Sequence, residues 1–319
     1  MRAQKETRVL PFGPAAIAEA ARLVLAGEPV AVPTETVYGL AADATDADAV
    51  ERIYAAKGRP SFNPLIVHVA GLAEAERIGT FGDAARRIAE AFWPGPVTLV
   101  VPLRAGSGVA PRVTAGLETI ALRAPAHPAM RDLLAAVERP LAAPSANVSG
   151  GISPTSAEHV LKSLGGRIAL IVDGGPTDRG LESTIVRVDD LGVRLLRPGP
   201  VAIEDIASAG RAAASRGESG AIEAPGMMAS HYAPSKAVRL DADRAEADEW
   251  FIGFGPIPGD DSLSARGDLE EAAANLFAAL HRAEASSRAR IAVAPIPETG
   301  IGVPINDRLR RAAAPRGGR

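Results

Sequence analysis

The sequence predicts an α/β protein, with a twisted mixed sheet, flanking helices and a second, smaller α/β unit after it. Three observations carry that expectation. Helical and strand-like segments alternate along most of the chain, yet some apolar runs follow one another through tight turns alone, which a purely parallel sheet does not allow. The 319 residues exceed a typical single domain, and the pattern breaks once, at 210–222, in "GRAAASRGESGAI". The composition is 47% hydrophobic but only 4% aromatic, with 32 glycines and 26 prolines, so Ala and Val fill a core cut by many turns.

The elements follow in order. Residues 14–27, "PAAIAEAARLVLAG", have the period of an amphipathic helix ended by Gly27. "EPVAVPTETVYGL" gives a short apolar strand running into a polar turn. Residues 46–57 form a second helix with Asp46 or Asp48 as its cap. Gly58 suits a left-handed stop there, and Pro60 blocks continuation. "NPLIVHVA" is a strand, 83–92 a helix stopped by "WPGP", and "VTLVVPL" and "ETIALRAP" two further strands. Residues 128–138 are helical, and "RPLAAPSAN" holds a short buried strand. "SPTSAEHVLKSLGG" is expected to start a helix at Ser153 or Thr155, with Pro154 in its first turn and a Thr155–Glu158 capping box. "IALIVDGG", "STIVRVDD" and "GVRLLRPGP" are strands, and a helix follows at about 202–209. After the break, "EAPGMMASHYAPSK" has no regular period but carries Met227, Met228, His231 and Tyr232, more than a plain spacer needs. "AVRL", "EWFIGFG", a helix near 268–284, "RIAVAPIP" and a final "GIGVPINDRLRRAA" helix build the second unit.

Composition excludes several chemistries. Without cysteine there is no disulfide, thiolate nucleophile or Cys-based metal site. A net charge of −3 argues against a chain wrapped in nucleic acid, and the basic "RLRRAAAPRGGR" end reads as a solvated tail. No apolar run approaches 18 residues and "MRAQKETRVLPFG" has no signal-peptide core, so no membrane contact and a cytoplasmic location are expected. There is no P-loop, no His-Glu-x-x-His helix and no nucleophile elbow, and "GFGPIPG" reads as a strand and turn, not a dinucleotide loop.

What remains is polar groups at strand ends. "PTETVYG" brings Thr34, Glu35, Thr36 and Tyr38; "KGRPSFNPLIVHV" brings Lys57, Arg59, Asn63 and His68. Thr119 and Arg123 lie four apart on one strand and so share a face. "APSANVSGGISPT" offers Ser145, Asn147, Ser149 and Ser153; "ESTIVRV" offers Glu182, Ser183 and Thr184; "LLRPGP" offers Arg197. Each has a plainer reading: Lys57 as a cation at a helix C-terminus, His68 as a packing histidine, Ser153 and Thr155 as caps, Glu182 and Ser183 as turn residues. The proline-flanked Arg59 and Arg197 fit those readings least, because a rigid backbone beside a guanidinium suits fixed bidentate anion contacts. Three arginines and a lysine with hydroxyl and amide donors suit a phosphate chain plus a carboxylate. With no nucleophile or metal-ligand cluster beside them, they favour direct transfer between two bound substrates.

"PTETVYGL", "KGRP..NPLIVH", "WPGPVTLVV", "R.PAHP", "APSAN.SG..SPT", "ESTIV" and "LLRPGP", in this order, resemble a YrdC-type domain. "APGM…HYAP" and a small unit ending "GIG..INDRLRRAA" resemble the long, two-domain form of the threonylcarbamoyl-AMP synthase family, over roughly residues 14–310. The resemblance implies a YrdC-like catalytic domain at 1–210, a linker at 211–236 folding over the active site, and a small Rossmann-like domain at 237–319. It implies a nucleotidyltransferase that makes threonylcarbamoyl-AMP and pyrophosphate from L-threonine, bicarbonate and ATP, with Mg²⁺. A downstream transferase complex would use the product on the tRNA adenosine next to the anticodon; a weak direct contact with tRNA is left open. It places threonine near Thr36, His68, Arg123 and Ser183. It places ATP near Lys57, Arg59, Asn63, Thr119, Ser145, Asn147, Ser153, Arg197 and Tyr232, with Lys57 and Arg59 catalytic. The Ser153 helix start would offer backbone N–H groups to an anion. Two positions depart from the pattern: Ala143 stands where many relatives carry Ser or Thr, and Pro304 where a helix-compatible residue is expected. Two other readings compete. A non-catalytic RNA-binding module is disfavoured by the near-neutral pI and scarce aromatics. A carbamoyl-phosphate-using transferase would carry acylphosphatase-like or zinc-finger segments.

Overall fold

The computed structural model describes residues 6–216, 223–226 and 231–315. Among them, one sheet holds β1 Arg8–Pro11, β2 Val30–Pro33, β3 Tyr38–Asp43, β4 Ile66–His68, β5 Val97–Pro102, β6 Thr119–Arg123, β7 Leu141–Ala142, β8 Leu170–Asp173, β9 Thr184–Asp189, β10 Gly192–Arg197 and β11 Ala214–Arg216. Its order is β1-β8-β2-β3-β7-β4-β6-β5-β9-β10-β11. Parallel pairs such as β4 with β6 and β5 with β9 sit beside antiparallel β2 with β3 and β5 with β6, so the sheet is mixed as expected.

The helices of this unit are α1 Pro14–Leu25, α2 Ala47–Lys57, α3 Leu72–Ile78, α4 Asp83–Phe92, α5 Pro111–Thr114, α6 Pro128–Val137, α7 Ala157–Leu164 and α8 Ile203–Gly210. They do not cover the sheet evenly. On β2, Val30 and Val32 pack with Ile17, Leu23 and Leu133 of α1 and α6, while Ala31 joins Ile53, Ile88 and Val160 on the other side. A strand buried on both faces reads as a continuous apolar run, and "VAVP" does. From β4 to β10 the helices pack on one face only. Val67, Leu99, Leu122 and Val186 point into the main core. Their alternate neighbours Ile66, Val100, Ala121, Ile185 and Leu196 form a small cluster with Ala224, which no helical residue joins. That face is where the site forms.

The second unit is a parallel sheet of β12 Val238–Arg239, β13 Glu249–Gly253, β14 Asp261–Ser262 and β15 Arg290–Val293, in the order β12-β15-β13-β14, with α9 Leu269–Ala285 and α10 Gly302–Ala313. Its core also takes in Val37, Ile152, Leu181 and Tyr232, so the two units share buried surface.

Local expectations meet mixed results. Asp46 caps α2 by accepting from the backbone N–H groups of Asp48 and Ala49, and Gly58 ends it with φ of 58°. The start of α7 is corrected. Ser156 is its cap, accepting from His159 N, so the helix begins at Ala157 and neither Ser153 nor Thr155 opens it. The Ser153 hydroxyl is turned to Glu182 instead, and Thr155 Oγ1 meets the His159 ring. No helix terminus therefore offers its N–H groups at Ser153. Pro304 lies in the first turn of α10, where the missing N–H has no intrahelical partner to lose. Part of the expected linker, Ala214–Arg216, pairs in parallel with β10 as the sheet's edge. Met227 and Met228 lie outside the described residues.

Candidate functional site

On the open sheet face lies a small cavity of about 50 Å³ that opens to solvent. It is walled by the Thr34–Val37 turn, the Ala143–Ser145 loop, the Glu182–Ser183 turn and the strap residues Pro225, Gly226, His231 and Tyr232. Arg59, Arg123, Arg197 and His68 all line it, and His68 feels the Arg123 charge.

Each arginine is fixed by its own surroundings. Beyond the Gly58 stop, the 59–64 turn folds around the Arg59 guanidinium: Nε donates to Asn63 O (3.1 Å), and Nη2 to Asn63 Oδ1 (2.8 Å) and Pro64 O (2.7 Å). Burial lowers the Arg59 pKa to about 10, which leaves it charged at neutral pH. Arg123, at the end of β6, donates to Glu35 Oε1 (2.6 Å), Thr36 Oγ1 (2.9 Å) and Gly95 O (3.1 Å). Burial pushes the Glu35 carboxyl up, but Arg123 outweighs it and holds the pKa below the usual value. Arg197, at the end of β10, grips the Ser183 carbonyl through Nε and Nη2 (3.1 and 2.9 Å) and the Ser183 hydroxyl (3.1 Å). That hydroxyl also meets Thr98 Oγ1 at 2.7 Å.

The histidines differ in character. Burial, then the nearby Arg123 charge, pushes His68 down to about 3, so its ring is neutral. His231 is likewise lowered by burial and by the surrounding cations. His68 Nδ1, His231 Nδ1 and Tyr232 Oη are buried without a hydrogen-bond partner among the described residues. Unpartnered buried polar atoms are costly, and all three of these residues line the cavity. Tyr232 also sits at φ of 62°, in the left-handed region, which only a surrounding structure can enforce on such a residue.

The structure thus brings Thr36, Arg59, His68, Arg123, Ser145, Ser183, Arg197 and Tyr232 together on one cavity. Other expected residues stand behind it. Lys57 is buried, and its Nζ donates to the carbonyls of Ser145 and Asn147 (2.5 Å each), so it holds the loop that presents Ser145. Asn63 braces Arg59, and Asn147 Nδ2 ties Val148 O and Gly151 O. Ser153 is buried against Glu182 Oε1 at 2.5 Å. Thr119 shares the Arg123 face but lies four residues away along β6, roughly 13 Å, outside the cavity wall.

Sequence reasoning missed Arg308. It lies on α10 among the buried Ile305, Leu309 and Ala312, yet its Nε donates to Glu182 Oε2 at 2.8 Å across the two units. A signal existed: an arginine at the i+3 position of an otherwise apolar stripe needs a buried partner. Among the described residues, no group of three or more His, Cys, Asp or Glu could hold a metal ion, and Glu35 and Glu182 are both engaged by arginines.

Three buried arginines, neutral imidazoles and hydroxyls at the strand ends of a mixed sheet define an α/β protein with an electropositive cavity. A family model described as "Telomere recombination" matches residues 22–199 and one described as "Threonylcarbamoyl-AMP synthase, C-terminal domain" matches 201–314. The threonylcarbamoyl-AMP synthase of Bacillus subtilis is 43% identical over 94% of this chain and 93% of its own length. That of Pyrococcus abyssi is 41% identical over 93% and 94%. A crystal structure of P. abyssi Sua5 complexed with L-threonine superimposes with a TM-score of 0.87 at 37% identity, covering 96% of this chain and 97% of that one. The chain belongs to the two-domain threonylcarbamoyl-AMP synthase family.

Proposed function

We propose that this enzyme makes threonylcarbamoyl-AMP and pyrophosphate from L-threonine, bicarbonate and ATP, as a nucleotidyltransferase. The observation that carries the reading is the cavity itself, lined by three buried arginines and by a neutral imidazole with an unpartnered nitrogen. That arrangement suits one carboxylate, one ammonium and a phosphate chain.

In this reading the threonine carboxylate lies against Arg123, with Thr36 and Ser183 beside it. His68 is a neutral acceptor for the threonine amine, which must lose protons to react. The free amine takes up carbon from bicarbonate, releasing water and leaving a carbamate. A carbamate oxygen then attacks the α-phosphorus of ATP, a new O–P bond forms, and the bond to pyrophosphate breaks. Arg59 and Arg197 meet the charge that develops on the phosphates, Ser145 and Tyr232 border the nucleotide, and Lys57 holds the Ser145–Asn147 loop in place. Mg²⁺ would enter with ATP and would offset the charge of its phosphates. The product would pass to a transferase acting on tRNA. No described helix is long and apolar enough to cross a membrane.

The test is pyrophosphate release by the purified chain. It should require threonine, bicarbonate and ATP together. Release that ignores threonine overturns the proposal.

A further inference from the structure

Arg308 is fully buried, although it sits on α10, the last helix of the second unit. It points out of that unit. Its Nε donates to Glu182 Oε2 (2.8 Å), its Nη2 to Pro198 O (2.9 Å) and its Nη1 to Asp307 Oδ2 (2.6 Å). Its guanidinium lies 5.1 Å from the centre of the Tyr232 ring. Glu182 is part of the cavity wall, and its other oxygen holds Ser153 Oγ. From the same side, His281 of α9 meets the Ser153 carbonyl at 3.1 Å.

Charge decides what this contact does. Glu182 is a carboxylate in the wall of a cavity built for anions. Left bare it would repel a phosphate chain a few ångströms away in a poorly solvated space. The neighbouring Arg197 also feels the Glu182 charge, but its Nε and Nη2 hydrogen-bond Ser183 and not the carboxylate, so the direct ion pair is the one with Arg308. Burial works against the charge on Arg308, but Tyr232, Glu182 and Asp307 outweigh it and its pKa is raised.

We propose that Arg308 is a positioning residue for nucleotide binding, supplied by the second unit. It cancels the Glu182 charge beside the phosphate site and fixes the Tyr232 ring over it. This gives the second unit a direct part in the site. It rests on the reading of the cavity as an ATP and threonine site.

The test uses the full chain with Arg308→Met, Arg308→Lys, Glu182→Gln and the Glu182→Gln/Arg308→Met pair. Arg308→Met should raise the KM for ATP about tenfold or more, with a smaller change for threonine. Arg308→Lys should recover part of the loss, and the double variant part of it too, because the bare carboxylate is gone while the Tyr232 ring stays unbraced. Glu182→Gln alone should leave ATP binding equal or tighter. Should Arg308→Met fail to fold, as melting curves would show, the sign of the Glu182→Gln effect still decides. The proposal is overturned if Arg308→Met binds ATP as the parent does. It is also overturned if Glu182→Gln weakens ATP binding as strongly as Arg308→Met, or if the double variant shows no recovery. Calorimetric ATP binding tests Arg308 even if the parent chain releases no pyrophosphate, an outcome that would instead overturn the proposed reaction.

Discussion

Arg59 shows how a single side chain is made stiff before any ligand arrives. Three hydrogen bonds to Asn63 and Pro64 fix its planar fork, and the Gly58 turn aims it. A lysine has no fork, so it cannot reproduce those contacts. We expect Arg59→Ala to lower kcat/KM for pyrophosphate release at least tenfold, since a charge-assisted contact in a transfer site is worth more than ~1.4 kcal/mol. Arg59→Lys should recover little. Steady-state kinetics against ATP checks both, and an unaltered rate for Arg59→Ala removes the residue from the mechanism. Arg59, Arg123 and Arg197 were legible in the sequence because proline or a strand end fixes each locally. Glu35 and Glu182 were visible as residues, but their partners were not. A carboxylate's partner comes from a remote strand or helix, and no local pattern names it.

At the scale of elements, His231 and Tyr232 belong to a part of the wall that lies outside any helix or strand. Tyr232 is buried in a left-handed conformation, its ring edge-on to His231 at 4.1 Å and under Arg308. We expect Tyr232→Ala to raise the KM for ATP about five- to tenfold, on the scale of one lost aromatic contact of ~1–3 kcal/mol. Unchanged ATP affinity and turnover would show that the strap does not border the nucleotide. A second element contact is acid-sensitive. His159 of α7 stacks on His281 of α9 with ring centres 3.8 Å apart. Burial first, then Arg282 and Lys162 for one and His159 and Lys162 for the other, lower them to about 4 and about 3. Both rings are neutral in the fold, whereas unfolded histidines titrate near 6.5. Between about pH 6.5 and 4 the unfolded chain therefore binds more protons, and stability falls as pH falls. The Tm should drop between pH 7 and 5. The His159→Phe/His281→Phe variant keeps two stacked rings and should drop less over the same range; equal drops would mean the stack does not titrate on unfolding.

The elements also divide by how far their evidence lies along the chain. Helices α2 and α9 announced themselves through an Asp cap and an apolar period, and β5 and β9 through apolar runs. Strand β1 did not, because it is a mostly exposed edge whose pairing partner, β8, lies some 160 residues on. Helix α5, with four residues, is too short to show a period. The α7 start was misread because Ser153, Thr155 and Ser156 are all competent caps, and the choice fell to Glu182, which draws Ser153 away.

For the whole molecule, the question is whether two sheets mean two folding units. The packing argues for one. Val37 and Leu181, beside the site, and Ile152 lie in the same apolar cluster as Phe277 and Leu280 of α9. Gly180 meets α9 so closely that an added Cβ would fall 2.4 Å from the Ala273 carbonyl. The Arg308–Glu182 pair crosses the same junction, and losing one partner of such a pair typically costs ~3–5 kcal/mol. Separating the units would expose that cluster and break the Arg308–Glu182 pair, so partial unfolding gains little entropy for a large loss. We therefore expect a single calorimetric transition for the full chain. A ligand that binds only the folded form raises stability by RT ln(1 + [L]/Kd), about 2.7 kcal/mol at a hundredfold excess over Kd. In the proposed reading ATP with threonine should move the entire transition upward, because Arg308 of the second unit braces Glu182 and Tyr232 in the cavity wall. A second transition that ignores the ligands would mean that the second unit folds independently and that its contact with the cavity wall contributes little to binding.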